Sequence, residues 1–333
     1  MAAMVAPVNP EYAEWACDLS PATRDVLLRM ARAGHAPLHT LAPEQAKAFY
    51  ARAATVLELP SPPLARHEQL QLPMRDGTHV PAQLWAPSKA KLPVLLYFHG
   101  GGFTIGSSQT HAGVCQQLAA LAHCAVLSVD YRLAPTHRFP TAVHDAWDAL
   151  AWLLRHGGGH GLDTTRVALG GDSAGGTLAT VAAMHARDQH WPVALQVLFY
   201  PGTTAHQDTE SHRRFAHALV LGKAHIDYFF DHYIAHEQRN DWRFAPLLAE
   251  QHEGVAPLWL GLAEHDPLHD EGLAYADALR LARVPVQLEI YRGTVHGFVQ
   301  WGRAEPMARQ AHQDAAAALR AAWQTTATPG STP

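Results

Sequence analysis

Cysteine is nearly absent. Cys17, Cys115 and Cys124 are the whole supply in 333 residues. They are scattered and form no Cys-x-x-Cys, so neither a disulfide framework nor a thiol-based metal or redox site is expected. Such sparse cysteine favours a reducing, cytoplasmic compartment. Long apolar runs are missing too: no stretch of about 18 uncharged apolar residues occurs, so nothing is expected to span a bilayer. Met1 to Ser20 lacks both a basic start and a continuous apolar block, so no signal peptide is expected. Positive charge is not in excess. The formal net charge is -5, which gives no reason to expect nucleic acid or an anionic membrane as a partner.

What is present is the composition of a globular protein. The hydrophobic share is 48% with mixed charge, which excludes a disordered chain. The length is large for one core and short for two full domains. One catalytic-sized domain with an appended or inserted cap fits. Histidine is abundant, at 24 residues. His232 and His236 stand one helical turn apart, but a metal site needs a third ligand and an ordering shell around it. No His-Glu-x-x-His occurs, so these read as ordinary histidines of a helix, and neither metal nor cofactor is expected.

Ser20-Pro21 opens a helix that Gly34 closes, with Val26, Leu27 and Met30 at helical spacing. A second helix is predicted from Pro43 to about Leu57, broken by Pro60-Ser61-Pro62-Pro63. Residues 1–60 therefore read as a helical arm. Beyond it the pattern alternates. Glu68 to Trp85 reads as a hairpin around Asp76-Gly77. Strands are predicted at Pro93 to Phe98, Ala125 to Val129, Arg166 to Leu169, Leu195 to Tyr200, Leu258 to Leu262 and Val286 to Tyr291. Helices are predicted at His111 to Ala122, Pro140 to His156, Ala174 to Ala186, Gly272 to Ala282 and Ala304 to Trp323. This rhythm implies an α/β chain: a mostly parallel sheet covered by helices on both faces. Residues 201–246 interrupt it with a His- and Arg-rich segment and one aromatic helix, Ala224 to Ile234. They read as a cap insertion above the sheet, packing with the arm. The sheet domain is then 61–200 plus 247–325, and 326–333 a frayed tail.

Three runs carry chemistry. Gly171-Asp172-Ser173-Ala174-Gly175 fits Gly-x-Ser-x-Gly, the nucleophile elbow of the α/β-hydrolase fold, and lies between a strand and a helix. A sharp strand-to-helix turn lifts the Ser173 hydroxyl clear of the backbone. It crowds its neighbours, which explains glycine at 171 and 175. A neutral hydroxyl needs a base. His296 follows the last strand by a short loop and is the candidate. Asp266, just past the preceding strand, is the candidate acid that would orient the imidazole. Glu264 and Asp270 compete for that role and fit the strand end less well. Charge developing on a carbonyl oxygen needs fixed donors. His99-Gly100-Gly101-Gly102 follows a strand, and Gly101 and Gly102 can present backbone N–H groups there. Ala174, directly after the serine, supplies a third. His99 reads as a loop anchor rather than a base.

These runs closely resemble the hormone-sensitive lipase family of α/β-hydrolases, in particular its bacterial carboxylesterase branch. The resemblance covers roughly Pro93 to Phe298. It rests on the runs above together with Asp130-Tyr131-Arg132-Leu133-Ala134-Pro135, Asp266-Pro267-Leu268-His269-Asp270-Glu271 and His296-Gly297-Phe298. The resemblance implies Ser173 as nucleophile, Asp266 as acid, His296 as base, and Gly101, Gly102 and Ala174 as oxyanion donors. It also implies a helical cap made from the N-terminal arm plus an insertion. Thr136 stands where the family usually has Glu, and His269 where Arg is common.

The expected function is hydrolysis of short- to medium-chain carboxylic esters through an acyl-enzyme, with a small-molecule ester as partner and no stable membrane association. Amidase or deacetylase action shares the same path and stays open. A small-molecule receptor of the same fold is the minor alternative, and such receptors lack the base histidine. A homodimer is also left open.

Overall fold

The computed structural model describes residues 17–325. The sequence readings on 1–16 and 326–333, including the tail, lie outside the described residues. Helix α1 (Pro21–Ala33) begins where proposed: the Ser20 hydroxyl accepts from Thr23 N at 3.0 Å, Pro21 occupies the first turn, and Gly34 ends the helix at φ 65°. Helix α2 (Pro43–Ala53) is shorter than predicted, because its last turn tightens into a 3₁₀ segment over Ala54–Val56.

Strands β1 (Arg66–Pro73) and β2 (His79–Ala86) form the predicted hairpin. Its loop spans 74–78 rather than the two-residue Asp76-Gly77 turn. The Asp76 carboxylate accepts from Thr78 N at 3.1 Å and the Thr78 hydroxyl at 2.7 Å, closing the longer loop. Strands β3 (Leu92–Phe98) and β4 (Ala125–Val129) follow, with helix α3 (Ala112–Ala122) between them. Next come α4 (Thr141–His156), β5 (Leu162–Asp172), α5 (Ala174–Asp188) and β6 (Leu195–Phe199). The chain then enters α6 (Glu210–Arg214) and α7 (Lys223–Tyr233). It returns through β7 (Leu258–His265), α8 (His269–Leu281), β8 (Val286–Val295) and α9 (Pro306–Thr325).

The eight strands form one sheet in the order β1-β2-β4-β3-β5-β6-β7-β8. Pairs β1·β2 and β2·β4 are antiparallel, and every pair from β4 across to β8 is parallel. Every residue of β3, β4 and β6 is buried. That is the mark of central strands covered on both faces and explains their unbroken apolar sequence.

Two strands outrun their sequence signal. The pattern for β5 stopped at Leu169, but pairing continues as Tyr97↔Gly170 and Phe98↔Gly171. Glycine has low strand propensity, so the sequence hid this end. A Cβ at Gly170 would come within 2.9 Å of the end of the Leu95 side chain, and one at Gly171 would collide with the Gly175 backbone. Likewise β8 runs on to Val295, so His296 follows its strand directly rather than through a loop.

Residues 201–246 lie between β6 and β7 and hold α6, which the sequence pattern missed, and α7. A small apolar cluster joins this segment to the N-terminal arm. Ala46 of α2 packs with Leu221, Ile226 and Phe229, and with Ile105 and Leu268 from the sheet side. The Tyr228 hydroxyl donates to Leu41 O at 3.1 Å. No helix among the described residues is long and apolar enough to cross a membrane.

Candidate active site

The central strands deliver their C-terminal ends to one place. Ser173 sits between β5 and α5 with φ 53° and ψ -125°, a backbone region that a serine rarely adopts. The turn is as crowded as its sequence implied. A Cβ at Gly171 would collide with Gly175 O, and one at Gly175 would collide with Phe98 O and His99 O. Backbone atoms cannot step aside as a flexible side chain can. Gly175→Ala is therefore expected to cost about 3 kcal/mol or more, the upper end of overpacking penalties. Gly159→Ala, where an added Cβ meets nothing within 4 Å, is the control and should stay near wild type in denaturant unfolding.

His296 and Asp266 converge on the serine. His296 Nδ1 lies 2.7 Å from Asp266 Oδ2, and His296 Nε2 lies 3.0 Å from Ser173 Oγ. A carboxylate only accepts, so the proton sits on Nδ1 and Nε2 is left to accept from the serine hydroxyl. Asp266 is fully buried and its other oxygen accepts from Leu268 N at 2.9 Å. The Tyr200 ring packs against the imidazole, centroids 4.6 Å apart. The competing carboxylates are occupied elsewhere. Glu264 accepts from Gly293 N at 2.7 Å, and Asp270 accepts from Ser211 N at 2.8 Å.

Gly102 and Ala174 line one cavity with Ser173. Gly101 and Gly102 have φ 117° and 57°, conformations that favour glycine. Ala174 opens α5, whose first N–H groups have no partner within the helix, so its positive end faces the serine. His99 is the loop anchor the sequence suggested. Its ring stacks on Tyr131 at 4.3 Å, its Nδ1 donates to Gly100 O at 2.8 Å, and the Tyr131 hydroxyl donates to His99 O at 2.8 Å. Burial, then the charge of His111 nearby, pushes the His99 ring down to about 3, so it stays neutral.

Sequence reasoning missed the support beneath this loop. Asp172 Oδ1 accepts from Gly100 N at 3.0 Å and from the Tyr97 hydroxyl at 2.8 Å, while His111 Nε2 stands 3.2 Å from Oδ2. Burial alone would raise the Asp172 carboxyl, but the His111 charge and bond, with the Tyr97 hydroxyl, outweigh it and hold the carboxyl below its usual range. Burial likewise disfavours charge on His111, and Asp172 overrides it upward. The result is a buried Asp172–His111 contact that, with the Gly100 bond, fixes the glycine loop to the serine turn. Its only trace in the sequence is an acid at the variable position of Gly-x-Ser-x-Gly.

The cavity measures about 50 Å³, room for about three to five water-sized groups. Phe229 and Phe230 of α7 help to line it. Their neighbours on that helix do other work: Tyr228 reaches Leu41, and Tyr233 stacks on Phe103 at 4.1 Å. Phe229 also explains Gly102, where a Cβ would enter the phenyl ring. Glu271, His212, Gln207 and His206 form a polar side. Among the described residues no group of three or more His, Cys, Asp or Glu could hold a metal ion. His232 turns its Nδ1 onto Tyr228 O at 2.7 Å.

The sheet order, the strained serine turn and the buried histidine–carboxylate pair define an α/β-hydrolase. A family model described as alpha/beta hydrolase fold matches residues 95–300. Esterase LipI of Mycobacterium tuberculosis is 40% identical over 247 residues, covering 73% of this chain and 77% of that one. Ethyl acetate hydrolase of Pseudomonas putida is 37% identical over 273 residues, covering 80% and 86%. Among solved structures, the ester-hydrolase EH1AB1 from the metagenome of Lake Arreo superposes with a TM-score of 0.88 at 35% identity, over 92% of this chain and 99% of that one. The chain belongs to the hormone-sensitive lipase family of α/β-hydrolases, in its bacterial carboxylesterase branch.

Proposed function

We propose that Ser173, His296 and Asp266 act as nucleophile, general base and acid, and that the N–H groups of Gly101, Gly102 and Ala174 receive the oxyanion. The chain is a carboxylic ester hydrolase, as its family and relatives indicate. The observation that carries the assignment of roles is the pair of hydrogen bonds, 2.7 Å and 3.0 Å, linking Asp266 through His296 to Ser173.

The chemistry follows from that geometry. Ser173 Oγ attacks the ester carbonyl carbon as His296 Nε2 takes its proton. Asp266 holds the imidazole in the right tautomer and stabilises the imidazolium. The tetrahedral oxyanion forms against the glycine loop and the positive end of α5. Collapse expels the alcohol, which takes the proton from His296. Water repeats the sequence on the acyl-enzyme and releases the carboxylic acid.

Of the arm read over 1–60, the described part, 17–60, is read together with 201–246 as a cap over the catalytic residues 61–200 and 247–325. The apolar cluster between α2 and α7 supports this, as does Phe229 above Gly102. Scarce cysteine supports a cytoplasmic location. A roof this close limits the acyl arm. Each methylene that fits gains about 0.8 kcal/mol of burial, and the gain stops where the chain meets the roof. Across nitrophenyl esters of increasing acyl length, kcat/KM is expected to climb, peak at a short chain and fall. A value still climbing at sixteen carbons would mean an open channel. The name of the Pseudomonas putida relative, an ethyl acetate hydrolase, supports the short end.

A further inference from the structure

The five-residue helix α6 is fastened to the turn that carries Asp266. The Ser211 hydroxyl donates to Pro267 O at 2.7 Å, and Asp270 N donates back to that hydroxyl at 3.2 Å. Ser211 N donates to the Asp270 carboxylate at 2.8 Å. One residue further, His212 Nε2 meets Glu271 Oε2 at 3.1 Å, and His212 Nδ1 faces the Thr209 hydroxyl at 2.7 Å. The other Glu271 oxygen accepts from Thr203 N, and from Thr204 N at 3.2 Å. Thr203 Oγ1 donates to Glu271 O at 2.9 Å. Ser211, His212, Thr203 and Glu271 are each at most 5% exposed.

These bonds surround one short turn. Pro267 directly follows Asp266, and Asp270 and Glu271 open the helix after it. The turn is held from outside by residues of the 201–246 segment. Asp266 has little slack, with one oxygen on Leu268 N and the other on His296. A misplacement of about 1 Å in such a group can cost about 100-fold in rate.

We propose that Ser211, backed by the His212–Glu271 pair, is a positioning residue that sets the Asp266 turn against His296. The α6 helix thereby ties the segment over the cavity to the triad. This rests on the reading of Asp266 as the triad acid. Ser211 is the residue to test, since His212 and Glu271 also line the cavity and Ser211 does not.

The experiment is a double-mutant cycle on the full chain with Ser211→Ala, Asp266→Asn and both together. It is read by kcat and KM for nitrophenyl butyrate and by the rate of inactivation with diethyl nitrophenyl phosphate. Ser211→Ala is expected to lower kcat about tenfold, the lower end for residues that orient a reacting group, with KM little changed. Inactivation should slow by the same factor. In the Asp266→Asn background the same change should cost almost nothing, because residues acting as a unit are not additive. Ser211→Thr, which keeps a hydroxyl, should recover most of the loss. A tenfold loss that multiplies fully with that of Asp266→Asn would overturn the proposal, as would a change confined to KM or to melting temperature. If Asp266→Asn alone left activity intact, the acid assignment would be what failed. Should Ser211→Ala not fold, Asp270→Ala is placed in the same cycle and judged by the same additivity.

Discussion

Ser173→Ala should lose about 10⁶ in kcat on a nitrophenyl ester while melting at nearly the wild-type temperature. The substitution deletes one oxygen and leaves a Cβ that the turn already accommodates. The residual rate should still exceed that in water, because substrate binding and the N–H groups at Gly101, Gly102 and Ala174 survive. The fold has reason to survive too. The turn is held by glycines at 171 and 175 and by the Asp172–Gly100 bond, none of which involves the serine hydroxyl. A folded variant that turned over at a near-normal rate would remove Ser173 from the mechanism.

Asp266→Asn should cost about 10⁴ in kcat, and Asp270→Asn far less. The amide is nearly the size of the carboxylate, so packing is kept and only the charge and donor pattern change. An asparagine at 266 that turns its NH₂ toward His296 forces the wrong tautomer, with the Nε2 proton pointing at the serine. At 270 an amide oxygen can still accept from Ser211 N. Equal losses at both positions, or a greater loss at 270, would mean that the acid had been misassigned. The two variants are isosteric with wild type, so steady-state kinetics on matched preparations separates them cleanly.

Much of this site was legible in the sequence because its parts are local. Ser173 needs glycine two residues either side, and that pattern survives in one dimension. The glycine loop sits directly after a strand whose apolar run is easy to see, and His296 follows a strand whose start, though not its end, shows in the sequence. What stayed hidden depends on distant partners. His111 reads as one of 24 histidines until the fold brings it within 3.2 Å of Asp172. Helix α6 spans five residues, too short to show any apolar period, and is held by contacts to a turn about 56 positions further along. The end of β5 was masked by Gly170 and Gly171, the second of which is there because the backbone of Gly175 and Phe98 leaves no space for a Cβ. Helix α8 began earlier than its apolar pattern because Asp270 and Glu271 read as polar, although Glu271 is buried and bonded.

Covalent trapping tests the central claim most directly. The intact protein, treated with diethyl nitrophenyl phosphate, should gain one diethylphosphoryl group and lose esterase activity in the same proportion. Peptide mapping should place the group on Ser173, and Ser173→Ala should gain none. Complete loss of activity with the group on another residue, or stoichiometric inactivation without any adduct, would contradict a Ser173 acyl-enzyme.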